Sequence, residues 1–68
     1  MDFVNGKVQW FDTKKGFGFI RPEGADKDVF VHASGLIDTI KADDEVEFTI
    51  VDGEKGKVAE QVVLLQNA

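Results

Sequence analysis

The sequence predicts an all-β chain folded as a small closed barrel of five short strands. Three observations point there. Residues 45–51 (EVEFTIV) set Val46, Phe48 and Ile50 against Glu45, Glu47 and Thr49, the period of two that a half-buried strand requires. Turn-forming residues interrupt the apolar runs at short intervals, which suits a sandwich or barrel rather than a helical fold. Finally, 68 residues are too few to cover open sheet edges, and closure removes them.

The elements follow in order. Residues 4–12 (VNGKVQWFD) and 16–21 (GFGFIR) are the first two strands, joined by the turn Thr13-Lys14-Lys15. The polar run RPEGADKD holds the single proline, Pro22, and reads as a loop. Residues 28–32 (DVFVH) form the third strand. In 33–44 (ASGLIDTIKADD), Leu36, Ile37 and Ile40 have helix-like spacing, but the stretch is too short to sustain a helix. A turn or single helical turn leading into a loop is expected there. Residues 45–51 are the fourth strand. Asp52-Gly53 opens a hairpin loop that ends at Gly56, and 57–65 (KVAEQVVLL) is the fifth. Without a linker, repeat or low-complexity segment, residues 1–68 read as a single domain.

Composition excludes several classes of function. The chain has no cysteine and one histidine, His32, so neither a disulfide framework nor a structural zinc site is expected. No apolar run is long enough to span a bilayer, and MDFVNGK lacks a basic-then-apolar leader; a cytoplasmic protein without a membrane partner is expected. The net charge is −5. Acids and bases cancel over residues 1–35, whereas Lys41, Lys55 and Lys57 face eight acids in 36–68. An acidic total argues against holding nucleic acid by phosphate neutralisation alone. It is compatible with holding bases by stacking.

The rings stand on the unexpected face. Along GFGFIR, Gly16, Gly18 and Ile20 share one side, while Phe17, Phe19 and Arg21 share the other, with Lys15 in line before them. Along DVFVH, Val29 and Val31 oppose Asp28, Phe30 and His32. The β-branched residues mark the inner face, so three phenylalanines point outward among charged groups. A chain this small cannot build a second core for them, and an exposed aromatic cluster marks a binding surface. The glycines fall inward, where a small barrel bends and backbones approach closely. Strict alternation puts Trp10 inside with Val8 and leaves Phe11 with Lys7 and Gln9. Two adjacent large aromatics cannot both be inside without a bulge, so parity leaves Trp10 undecided.

Together GKVQWF, KGFGFI and VFVH resemble the bacterial cold-shock proteins, a family with one five-stranded antiparallel OB-type barrel. The likeness covers most of residues 5–65 and is specific over 5–32. KGFGFI resembles that family's first ribonucleoprotein motif and VFVH its second. The resemblance implies that Trp10, Phe17, Phe19, Phe30 and His32 contact bases of single-stranded RNA or DNA, with Phe11 at the edge of the same surface. Lys7 and Lys15 match basic positions near the strand path, Asp28 a polar one, and Lys55 a position that is often basic. The chain departs from the family pattern at Gln9, where lysine is usual, and at Ala33, where an aromatic is common. Its segment 33–44 is also shorter and lacks a phenylalanine.

The implied function is low-specificity binding of single-stranded nucleic acid, as an RNA chaperone and regulator of gene expression under cold or other stress. No cofactor, metal or small-molecule substrate is implied. A monomer is expected, with a weak dimer left open. The alternative is a small-barrel module that docks extended peptides. The basic rim of Lys7 and Lys15 and the lack of tyrosine weigh against it. Catalysis is disfavoured, because His32 has no cysteine partner and no organised triad is discernible.

Overall fold

The computed structural model describes residues 3–54 and 56–65. Five strands form close to the predicted places: β1 (Val4–Asp12), β2 (Phe17–Pro22), β3 (Val29–His32), β4 (Glu45–Gly53) and β5 (Gly56–Leu64). They close in the order β1-β2-β3-β5-β4. Every ladder is antiparallel except the seam, where β3 and β5 run parallel with Phe30 beside Val58 and Val31 beside Ala59. The barrel is therefore mixed at its seam rather than purely antiparallel.

The core is apolar: Val8, Ile20, Val29, Val31, Val46, Phe48, Ala59 and Val62 from the strands, with Ile40 from the connection between β3 and β4. Burial of each larger side chain contributes about 1.5–3 kcal/mol. Ala33–Gly35 form one 3-10 turn, where the His32 side chain accepts the Ser34 N–H. The chain then runs extended beside β5. Leu36 bridges Val62 in parallel, and the N–H groups of Ile37 and Asp38 donate to the Val62 carbonyl at 2.8 and 3.2 Å. The Asp38 carboxylate accepts the Leu64 N–H at 2.9 Å. Ile40 is buried, while Ile37 is 66% exposed. The apolar spacing thus serves an extended tether and a plug rather than a helix.

Two bulges break strict alternation. In the β1–β2 ladder Val8 lies opposite Ile20, but Trp10 lies opposite Phe19, so Gln9 is one residue extra. Around it, the Val8 N–H donates to the Asp44 carbonyl and the Val8 carbonyl accepts the Asp43 N–H, both at 2.8 Å. In the β4–β5 ladder Glu47 lies opposite Val63 and Thr49 opposite Glu60. The extra residue is now on β5, where Gln61 adopts φ 54°, the left-handed region that a side chain rarely enters. The simple alternation expected for 45–51 is less clean at its end. Thr49, expected outward, is 8% exposed and donates its hydroxyl to the Glu60 carbonyl at 3.2 Å; Ile50, expected inward, is only half-buried.

Candidate nucleic-acid interface

The ladders of β1, β2 and β3 arrange outward side chains in three rows. Lys7 lies beside Arg21; Trp10, Phe19, Phe30 and Val58 form the middle row; Asp12, Phe17 and His32 form the third. The rings meet across and between rows. Trp10 stands 5.5 Å from Phe17 and 5.4 Å from Phe19, centroid to centroid. Phe30 stands 6.0 Å from Phe17, stacked at 25°. It stands 5.9 Å from Phe19, edge to face. Such contacts contribute about 0.5–1.5 kcal/mol each beyond area burial, so the rings brace one another. Trp10 is 42% exposed, Phe17, Phe19 and Phe30 are half-buried, and His32 is exposed. None of these five is sealed from solvent.

The bulge at Gln9 settles what alternation left open. By adding one residue between Val8 and Trp10 it turns Trp10 to the ring face and Phe11 to the inner side. Phe11 lies opposite Gly18 and packs, half-buried, against the core. Phe11, expected at the edge of the ring surface, thus faces the core while keeping part of its ring in solvent. Gly18 allows this arrangement. A Cβ there would meet the Trp10 carbonyl oxygen, and would stand 2.7 Å from Phe11 Cα and 2.8 Å from Phe11 Cδ2, closer than real Cβ atoms come. Gly16 has a different role. With φ +78° it closes the β1–β2 turn, donating its N–H to the Asp12 carbonyl at 2.7 Å. The Asp12 carboxylate accepts the Lys14 and Lys15 N–H groups at 2.9 and 3.1 Å, which sets Lys15 at the border of the third row.

Charge surrounds the rings unevenly. Arg21 Nε donates to Asp28 Oδ1 at 2.6 Å, so Asp28 is engaged by the neighbouring strand. Lys7 lies between Arg21 on β2 and Glu45 on β4, a mixed-sign edge rather than a basic one. His32 Nδ1 accepts the Ser34 N–H at 3.1 Å and lies 2.9 Å from Ser34 Oγ. Its Nδ1 lone pair is thus turned back to the chain, and Nε2 is left for a ligand. Lys55 lies outside the described residues. The interface also includes side chains that motif reading missed. Val58 extends the middle row, and Lys27 and Lys57 line grooves beside Phe19 and Phe30. The only local signal of the two lysines is a positive charge in a loop or at a strand start. What places Lys57 there is the parallel seam, which joins strands distant in sequence. Among the described residues, no group of three or more His, Cys, Asp or Glu side chains could hold a metal ion. Nor is any helix long and apolar enough to cross a membrane.

Rings on the outer face of a small closed barrel define a nucleic-acid-binding domain, and comparison with known proteins agrees. The family model described as "'Cold-shock' DNA-binding domain" matches residues 4–65, and the chain belongs to that family of binding proteins rather than enzymes. It is 45% identical over 69 residues to cold shock-like protein CspE of Escherichia coli K12, covering 96% of this chain and all of the relative. It is 46% identical over 66 residues to cold shock-like protein CspJ of Salmonella typhimurium LT2, covering 91% of this chain and 94% of the relative. Among solved structures, "drosophila Unr CSD456" superposes with a TM-score of 0.80 at 29% identity, over 96% of this chain and 27% of that longer one. The fold is the five-stranded OB-type barrel of cold-shock domains.

Proposed function

We propose that the chain binds single-stranded RNA or DNA by stacking bases on Trp10, Phe17, Phe19 and Phe30, with His32 and Lys15 at the border. The observation that carries this reading is the braced set of four rings, open to solvent on one face. Every base has a π-face, so binding is tolerant of sequence. Stacking on fixed rings competes with stacking inside a weak RNA hairpin, which makes the protein an RNA chaperone without nucleotide hydrolysis. In the cell it acts as a cytoplasmic, monomeric, single-domain regulator of cold- or stress-responsive gene expression. Lys7 and Asp28, each beside opposite charge, have lesser roles than the rings.

Titration of short oligo-dT and oligo-U, followed by Trp10 fluorescence, tests the reading. Quenching is expected for the native chain, and Phe17→Ala and Phe30→Ala should each weaken binding by about 1–3 kcal/mol. Emission that stays unchanged at high oligonucleotide concentration would remove the stacking site.

A further inference from the structure

The ring face does not stop at Phe30. Beyond it the surface drops into a groove of about 520 Å³ whose lining includes Phe19, Phe30, Ile50, Lys27 and Lys57. Lys27 comes from the β2–β3 loop and Lys57 from the start of β5, so the two ammonium groups approach from different elements. Lys57 also lines the adjoining groove of about 610 Å³ with Phe19, Phe30 and Val58. Both lysines are exposed. Acids stand here too. Asp28 lines the first groove and is held by Arg21 at 2.6 Å, Glu54 lines the adjoining one, Asp26 is exposed in the β2–β3 loop, and Asp52 Oδ1 stands 3.4 Å from Lys57 Nζ. That last pair is exposed on both sides, a class of ion pair that contributes little and exchanges readily.

We propose that Lys27 and Lys57 grip backbone phosphates of the bound strand where it leaves Phe30, and that Asp52 is an internal competitor for Lys57. The inference rests on the stacking reading, because the rings bring the strand to this rim. A flexible ammonium is a point-charge donor suited to a phosphate oxygen, and a base stacked on Phe30 leaves its phosphates within the groove. The chain carries net charge −5, so a local pair of cations directs the strand across β3 toward β5.

The test measures affinity for a short oligo-dT against salt, for the native chain and for Lys57→Gln, Lys27→Gln and their combination. Each lost phosphate contact should flatten the log–log salt slope by about 0.7, or about fivefold in affinity at 0.1 M salt, converging with the native chain near 1 M. The double variant should lose about 1.4 of slope and about 25-fold. Asp52→Asn should tighten binding. Lys41→Gln, the same charge change on the lysine that pairs with Asp44, should leave the slope unchanged. Native quenching with unaltered slopes in the Lys27 and Lys57 variants overturns the phosphate grip and leaves stacking intact. Equal flattening by Lys41→Gln also overturns it, since the effect would then be overall charge. No quenching by the native chain overturns both readings.

Discussion

Phe48 and Phe19 are the same side chain on two strands of one barrel, used in opposite ways. Phe48 is wholly buried on β4, opposite Val4 of β1, and crowds Gly6 so closely that a Cβ there would stand 2.9 Å from Phe48 Cε1. Phe19 sits on β2 between Trp10 and Phe30, half-buried and touching rings rather than the core. Residue type does not separate the two roles. What separates them is the neighbour across the strand: Val4 lies opposite the buried ring, and Trp10 and Phe30 flank the open one.

Substitutions can break this comparison, beginning with the largest effect. Phe48→Ala should cost about 3–5 kcal/mol of stability, comparable to what so small a core supplies. Urea denaturation should find the variant largely unfolded at room temperature, and a normal transition would contradict the assignment. Gly18→Ala tests the seam between the two regions. Its Cβ would strike the Trp10 carbonyl and Phe11, so stability should fall by about 1–3 kcal/mol, with a displaced Trp10 emission maximum. Phe19→Ala should do the reverse of Phe48→Ala. Affinity for oligo-dT should drop by about 1–3 kcal/mol, while the denaturation midpoint moves less than in either core variant.

The smallest expected effect lies in the connection between β3 and β4. Asp44 accepts hydrogen bonds from the Lys41 ammonium at 3.0 Å and the Lys41 N–H at 2.9 Å. Chiefly through the ammonium, these hold its carboxyl below the ordinary value of 3.8. Because the folded value is depressed, the contribution is fully present above the ordinary value and fades as pH falls through the lower one. Asp44→Asn should therefore bring the two stability curves together only below about pH 4. Curves that stay equally separated down to pH 2 would contradict the linkage.

Most of the fold was legible because inner positions such as Val29, Val31, Val46 and Phe48 follow a strict period of two. The ring face of β2 and β3 was legible for the same reason. Trp10 was not, because a bulge belongs to a pairing rather than to a segment: Gln9 is extra only relative to β2, while Asp43 and Asp44 engage the backbone of Val8. Thr49 escaped for a related reason, since its burial comes with a hydroxyl bond to the Glu60 carbonyl of the facing strand. Lys57 was invisible as an interface residue for a third reason. Its position beside Phe30 depends on two strands meeting across more than twenty intervening residues, which no local pattern reports.

The parallel seam has a consequence for the order in which a growing polypeptide gains its activity. Every ring of the open face has been synthesised by residue 32, yet β3 finds its second neighbour only once β5 is made. An amino-terminal fragment would carry all the stacking side chains without a sealed wall behind them. Non-local pairing of this kind is the slow part of assembling a β-rich chain, so competence to hold a strand should emerge only after nearly the whole length has left the ribosome.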